Sequence, residues 1–395
     1  ILSYFLILKK KKVIIALSGG VDSSVSAYLL KKQGFDVIAV FMKIWHENNS
    51  KNTQPCPWVE DSTYALEVAE QLNIPFHVID LSQEYKKRII DYMFQEYSNG
   101  TTPNPDILCN KEIKFDVFLE HALKLNADFV ATGHYANKKV NEKKTYSLLE
   151  ATDKQKDQSY FLCQLNQLQL EKIIFPIGGL LKSEVREIAK KINLATADRK
   201  DSQGLCFVGK IKIPDFLSKK LKKKTGDIIE ISSKNSIYKK PKKTIKEQSA
   251  ALEYSSESGT IIGQHYGAHF FTIGQRKGLN IGGKKEPLFV IKTDVKNNII
   301  YVGMGEKHPG LYKKALKIKK KSCHWVREDF KMKNKEKKNF LIRIRYRQKL
   351  IPGTLIMEED YLYIVFKKKV KSITTGQFAT WYLKNELIGS GPIFE

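Results

Sequence analysis

The segment Ser18-Gly19-Gly20-Val21-Asp22-Ser23-Ser24 constrains this chain more than any other, because it joins an apolar run, Val13 to Leu17, to a helix-like stretch that ends near Gly34. Two adjacent glycines let backbone N–H groups come close to an anion with no Cβ in the way. A helix N-terminus directly after them adds a favourable dipole and serine hydroxyl donors. Strand, glycines, acid, serines and helix in this order read as a phosphate cradle. The Walker pattern is missing, since no Lys-Ser/Thr pair follows the glycines, and so is the G-x-G-x-x-G dinucleotide fingerprint. The bland alternative is a Gly-rich strand-to-helix turn with a serine cap, and the order of the parts favours the cradle.

From Val13 to about Ala136 short apolar runs alternate with amphipathic stretches: Val37 to Met42, Asp61 to Leu72, Pro75 to Asp80, Tyr85 to Tyr97, Lys114 to Leu125 and Phe129 to Gly133. The alternation predicts an α/β domain with a doubly wound parallel sheet. Ligands of such sheets gather at the carboxyl ends of the strands, where Ser18 to Ser24, Met42 and Gly133 are expected. A further helix is predicted from Ser183 to Ile192, with Ser183 as its cap and Glu184 and Glu187 in its first turns. At 395 residues the chain is too long for one core.

After about Gly209 the character changes. Leu217 to Ser258 is rich in Lys and Ser and poor in bulky apolar residues, which predicts a mobile insertion or linker over part of it. Beyond it, Ile299 to Val302, Phe340 to Arg347 and Tyr361 to Phe366, separated by Gly, Pro and Asn, predict short antiparallel strands in small barrels. The expected division is therefore a catalytic domain over 1–209, a central small domain carrying the Lys/Ser-rich insertion over 210–312, and a C-terminal β-barrel domain over 313–395. In an extended strand Arg343, Arg345 and Arg347 would share one face, a row of phosphate-reaching guanidiniums, or equally a solvated face over an apolar core.

The net charge of +26 favours a polyanionic partner such as nucleic acid. Lysines occur everywhere, however, including the runs Lys9 to Lys12 and Lys222 to Lys224, so charge alone leaves the partner undecided. The five cysteines, Cys56, Cys109, Cys163, Cys206 and Cys323, are odd in number and never spaced C-x-x-C, which argues against a zinc ribbon, a thioredoxin-like motif or a clustered iron–sulfur site. No metal-ligating set is expected in the protein. The first residues, Ile1 to Leu8, are apolar before they are basic, the reverse of a secretory signal, and too short to span a bilayer. A reducing, cytoplasmic setting with no membrane association is the expectation.

Two cysteines lie in segments unlike the others. In Thr102-Pro103-Asn104-Pro105-Asp106-Ile107-Leu108-Cys109-Asn110 the prolines predict an extended, rigid loop, and Asp106 lies three residues before Cys109, within reach for proton transfer or nucleophilic attack. Cys206 sits between Gly204 and Gly209 on a predicted short loop where Arg199, Lys200 and Lys210 would favour thiolate. The two are 97 positions apart and can meet only through the fold. Cys56, Cys163 and Cys323 read as small buried hydrophobes.

SGGVDSS resembles the PP-loop of the ATP pyrophosphatase superfamily, whose domain is of the adenine nucleotide alpha hydrolase-like kind. Further strings make the resemblance specific: Phe41-Met42-Lys43, TPNPDILCNKEIKF from Thr102 to Phe115, ATGHY from Ala131 to Tyr135, KDQSYFL from Lys156 to Leu162, DSQGLCFVG from Asp201 to Gly209 and FTIGQRKGLNIGG from Phe271 to Gly283. With HPGL from His308, RYRQ from Arg345 and TTGQFA from Thr374, in order to the C-terminus, the chain resembles the tRNA-specific 2-thiouridylase family. That resemblance implies a PP-loop domain followed by two smaller, mainly β domains. It implies that ATP, with Mg2+, adenylates the C2 oxygen of a wobble uridine in tRNA and that persulfide sulfur then displaces AMP. Cys206 would carry the persulfide, and Cys109 would resolve the transfer through a transient Cys109–Cys206 disulfide. Asp106 would be the general acid/base.

By the same resemblance Ala16, Leu17, Ser18, Gly19, Gly20, Val21, Asp22, Ser23, Met42 and Gly133 would hold ATP. Asn104, Pro105 and Asp106 would line the target base, and His134, Lys156, Asp157, Gln158, Arg345, Tyr346 and Gln377 would contact the tRNA. The implied partners are tRNA and a sulfur-donor protein, a cysteine desulfurase or relay carrier. Rival readings are another PP-loop enzyme or a nonenzymatic RNA-binding protein. A 4-thiouridine synthetase needs an RNA-binding domain before the PP-loop, and iron–sulfur thiolases need clustered cysteines. Argininosuccinate- or NAD-synthetase-like enzymes have no use for two loop cysteines. An RNA-binding protein would leave SGGVDSS idle.

Overall fold

A computed structural model describes residues 10–44, 57–201 and 213–394. The described residues fall into two compact units, one drawn from 1–89, 106–210 and 385–387, the other from 90–105, 211–384 and 388–395. Residues 90–105 thus leave the body that surrounds them in sequence and join the later one.

The first unit is built on β1 (Lys12–Ala16), α1 (Val21–Lys32), β2 (Asp36–Lys43), α2 (Pro57–Gln71), β3 (Phe76–Asp80) and, after the helices α3 (Pro105–Leu108) and α4 (Phe118–Lys124), β4 (Phe129–Ala131). The hairpin β5 (Ala136–Val140) and β6 (Tyr146–Glu150) follows, then β7 (Ile173–Ile174) and α5 (Lys182–Lys191). The sheet order is β3-β2-β1-β4-β7, with every neighbouring pair parallel. Val13, Ile14 and Ile15 are wholly buried. Such a continuous apolar strand, rather than an alternating one, is what a parallel sheet covered on both faces requires. The chain moves outward from β1 through β2 to β3 and then returns to the other side of β1 with β4. This reversal makes the carboxyl ends of β1 and β4 the switch point where a doubly wound sheet opens a crevice, and the α/β expectation is met.

Helix α5 begins one residue earlier than the pattern predicts, and Ser183 does not cap it. The Glu184 carboxylate instead accepts the Leu181 N–H at 2.6 Å, satisfying an orphan amide from inside the first turn. Val185 and Ala189 bury the inner face of the helix.

The second unit carries two antiparallel-rich sheets. One runs β10-β11-β8-β9, from β8 (Gly226–Glu230), β9 (Thr260–His265), β10 (Leu288–Asp294) and β11 (Ile299–Met304). The other is made from β12 (Tyr312–Lys319), β13 (His324–Trp325), β14 (Lys337–Arg343), β15 (Ile351–Met357), β16 (Tyr361–Lys371), β17 (Phe378–Leu383) and β18 (Glu386–Pro392). Trp381, fully buried, meets Trp325 edge-on at 5.2 Å in its core.

Two expectations for this region are corrected. The Lys/Ser-rich stretch is structured: β8 is an inner strand, with Ile228 and Ile229 buried, and Thr244 caps a short helix at Ile245–Ser249. Two adjacent isoleucines suffice for a strand when both faces are covered, which average composition hides. The arginine strand ends at Arg343, so Arg343, Arg345 and Arg347 do not form one flat row. Arg347 has φ 62°, a left-handed position, and Gln348 closes the turn by accepting the Ile344 N–H at 2.8 Å.

Candidate active site

The turn after β1 is held by its own serines. Ser23 Oγ donates to Gly20 O at 3.0 Å and accepts the Ser18 N–H at 3.1 Å, while Ser24 Oγ donates to Gly20 O at 2.9 Å. The amide groups at the start of α1 are thereby fixed in direction. Gly19 has φ +74°, and a Cβ there would lie 2.1 Å from Asp61 O. Gly133, which follows β4, packs against the same helix start, where a Cβ would lie 2.6 Å from Ser23 N. Gly20 is different: a Cβ there would meet only Ser18 Oγ at 3.6 Å, an ordinary contact that the protein itself would accommodate. Ala16, Leu17, Val21 and Met42 are buried and can offer a ligand only backbone groups or packing.

Asp22 is clamped. Lys182 Nζ reaches both of its oxygens, at 2.6 and 2.8 Å, and Tyr135 OH donates to it at 2.7 Å. Lys182 also lies 2.9 Å from Asp201, which takes Lys156 at 2.8 Å and Arg186 at 2.7 Å. Burial opposes the charge on Asp201, but the hydrogen bonds and charges of Lys156 and Lys182 outweigh it and hold the carboxyl well below its ordinary range. Burial, followed by the Asp22 charge, drives the Tyr135 phenol far up, so it remains a donor. On the other side of the loop Arg199 donates to Gly19 O at 2.7 Å, pairs with Asp61 at 2.9 Å and stacks on Tyr64.

Sequence patterns missed Lys182, Tyr135 and Arg186, and read Arg199 only as a neighbour of Cys206, not as a partner of Gly19 and Asp61. Lys182 is 160 positions from Asp22, and no local spacing announces such a pair.

Cys109 is not on a loop, contrary to expectation. Pro105 opens α3, where its missing N–H costs nothing, and Cys109 begins a nine-residue π-helical run, Cys109–Val117. π-helical turns are rare and concentrate at functional sites. Asp106 stands one helical turn before Cys109, which is fully buried, as is Cys163. Cys323 is half-buried, and burial pushes its thiol up to about 12. Cys206 and Cys56 lie outside the described residues.

His134 follows β4 and is nearly buried, packed near Phe115 and Phe175, with Nδ1 2.8 Å from Thr132 Oγ1. Burial, then the Lys114 charge, lowers its pKa well below the ordinary value and keeps the ring neutral. Asp157 is 3% exposed and accepts from Ala151 N, Ser159 N and Ser159 Oγ at 3.0 to 3.1 Å. These bonds tie its loop together. Gln158 is likewise engaged, accepting the Tyr135 N–H at 2.9 Å.

In the second unit Gln377 staples the proline segment. Its Nε2 donates to Thr102 O at 3.0 Å and Pro103 O at 3.1 Å, and Asn104 Nδ2 lies 3.4 Å from its Oε1. Gly376, at φ +89°, lets this turn close on Thr102. Arg345 is exposed in the turn after β14, with Tyr346 half-buried beside it. Arg343 is buried instead, donating to Gln348 O at 3.0 Å.

A family model described as a tRNA methyl transferase HUP domain matches residues 11–210, one described as a tRNA methyl transferase PRC-barrel domain matches 242–304, and an aminomethyltransferase beta-barrel domain matches 315–393. The sequence is 54% identical over 393 residues to the tRNA-specific 2-thiouridylase MnmA of Flavobacterium johnsoniae, covering 97% of this chain and 100% of that one. It is 53% identical over 393 residues to the protein of the same name from Christiangramia forsetii, again covering 97% of this chain and 100% of the relative. It is 53% identical over 388 residues to that from Karelsulcia muelleri, covering 98% and 99%. The domain descriptions speak of methyl transfer and the full-length relatives of thiolation. Identity sustained over whole chains is the more specific of the two.

Proposed function

The chain belongs to the tRNA-specific 2-thiouridylase family, and from that membership we infer that it is a sulfurtransferase that replaces the C2 oxygen of a tRNA uridine with sulfur. The observation that carries the ATP half of the reading is the glycine cradle at the switch point, pinned by Ser23, Ser24 and Arg199 and open at Gly20.

The residues fit a triphosphate. Oriented amides at the start of α1 and the serine hydroxyls offer donors, and the gap at Gly20 admits an oxygen that a Cβ would exclude. ATP supplies the leaving group: an amide-like carbonyl oxygen leaves poorly, whereas AMP leaves well. Mg2+ would offset phosphate charge, with Asp22 the acidic side chain of the loop itself. The wobble uridine O2 attacks the α-phosphorus and pyrophosphate departs. The terminal sulfur of a persulfide on Cys206 then attacks C2, and AMP departs. Cys109 thiolate takes the remaining Cys206 sulfur, releasing the thiolated base and forming a Cys109–Cys206 disulfide, which a cellular thiol reductant reopens.

Asp106, one turn from Cys109, is suited to accept the thiol proton. Asn104 and Pro105, held by Gln377, would line the base, and Lys156, Gln158, Arg345 and Tyr346 would help to seat the RNA. A neutral His134 offers a ring edge rather than a charge. A cysteine desulfurase or relay carrier would load Cys206 in the cytoplasm. Among the described residues no helix is long and apolar enough to cross a membrane.

The test supplies ATP, a persulfide source and tRNA, and measures pyrophosphate and 2-thiouridine separately. Cys206→Ser and Cys109→Ser are expected to release pyrophosphate while making no 2-thiouridine. Thiolation that survives Cys206→Ser would remove the sulfur-carrier assignment.

A further inference from the structure

The Lys/Ser-rich stretch, part of which is expected to be a mobile insertion or linker, lines a cavity of about 410 Å3 in the second unit together with residues of β12 and β16. Six of the lining side chains are Lys239, Lys240, Lys242, Lys313, Lys314 and Lys369, and no Asp or Glu is among the lining residues. A seventh lining lysine, Lys292, is paired with Glu253 at 2.5 Å. Crowded ammonium groups repel one another in the free protein, and an anion relieves that repulsion.

The aromatic part of the cavity is built. The Tyr238 and Tyr254 hydroxyls share a hydrogen bond of 2.9 Å, and His308 meets the Tyr238 ring edge-on at 5.5 Å. His308 is itself fixed by Nε2 lying 3.0 Å from Ile231 O. Gly310 makes room: a Cβ there would come within 2.9 Å of one phenol oxygen and 3.0 Å of the other. The volume suits a single nucleotide, at the small end of ligand cavities.

Aromatic rings set among lysines are what unpaired nucleic acid uses, with bases against rings and phosphates on ammonium groups. An acidic peptide would use the lysines and leave the rings idle. We propose that this cavity is a second RNA-binding site of the enzyme, taking one unpaired nucleotide of the tRNA with its base against the tyrosines and its flanking phosphates on the lysines. The proposal rests on the thiouridylase reading for the identity of the RNA.

The experiment compares K240Q/K314Q/K369Q with K234Q/K296Q/K307Q in the full chain. All six lysines are exposed, so folding should survive, and the two variants remove equal charge. Binding of unmodified tRNA is measured by filter retention over a range of salt, and 2-thiouridine formation is measured separately. The cavity variant is expected to bind at least about tenfold more weakly and to lose up to about two from the slope of log K against log salt, roughly 0.7 for each phosphate contact on a single strand. Its KM for tRNA should rise with kcat unchanged, and the comparison variant should change little. Equal effects of the two variants would overturn the proposal, as would unchanged tRNA binding with slowed sulfur delivery from a cysteine desulfurase, which would assign the cavity to a protein. Wild-type protein that binds tRNA but makes no 2-thiouridine would sink the proposed activity instead, leaving the binding comparison readable.

Discussion

Gly133→Ala isolates the contact that registers the end of β4 against the phosphate loop. The added Cβ would lie 2.6 Å from Ser23 N, 2.8 Å from Asp22 C and 3.0 Å from Ser23 Cα. All three are backbone atoms, so no side chain can swing away. An ordinary contact needs roughly 0.8 Å more, and the β4 end or the start of α1 must supply it. Overpacking of this kind costs about 1–3 kcal/mol of stability, and a shift of that size at a reacting centre costs up to about 100-fold in rate. Pyrophosphate release as a function of ATP concentration gives kcat/KM, and thermal unfolding gives the stability loss.

Gly20→Ala is the internal comparison. Its Cβ meets only Ser18 Oγ at 3.6 Å, so Tm should hold while ATP use falls, because the phosphate itself is what the methyl would meet. If Gly133→Ala keeps wild-type Tm and kcat/KM, the loop is not registered by β4. If Gly20→Ala keeps wild-type kcat/KM for ATP, the cradle does not hold phosphate.

Lys182→Met leaves Asp22 and Asp201 short of their shared cation, and is expected to cost about 1–3 kcal/mol in urea unfolding and to raise KM for ATP; an unchanged midpoint and KM would remove the clamp from the mechanism. For His134 the folded pKa is lowered, so its contribution is complete above the unfolded value of about 6.5 and is lost as pH falls below it, by up to about 1.4 kcal/mol per pH unit. Between pH 6.5 and 5.5 His134→Gln should therefore lose stability less steeply than wild type, and parallel slopes would show that the ring is free to protonate. Gln377→Ala unpairs the Thr102 and Pro103 carbonyls and should lower kcat/KM for tRNA by up to about thirtyfold, at about 1 kcal/mol for each of the two neutral hydrogen bonds, while pyrophosphate release without tRNA is unchanged; equal losses in both assays would point to misfolding.

What the sequence made legible was whatever has a local period or a local steric demand. The parallel sheet followed from apolar runs, and the cradle from Gly19 and Gly20 lying between strand and helix. Cys109 was misplaced because two prolines suggest a loop, whereas Pro105 at a first helical position permits a helix. The β8 strand was hidden because Ile228 and Ile229 stand among lysines and serines, and burial of two residues decides what composition averages away. The arginine row failed because Arg343 turns inward and Arg347 sits at positive φ, both consequences of the turn that Gln348 closes. The Asp22–Lys182–Asp201 clamp could not be read at all, since its members are brought together only by the sheet crossover.

Residues 90–105 have a consequence for how such proteins diverge. Phe94 stacks on Phe216 at 5.4 Å, Asp91 pairs with Lys220 at 2.7 Å, and Thr102 is bonded to Thr375 and Gln377. A chimera joined near residue 209 would inherit one parent's 90–105 ribbon and the other parent's seat for it. Recombination between homologues should therefore be tolerated only where ribbon and seat travel together, which ties the evolutionary fate of the proline segment to residues nearly three hundred positions downstream.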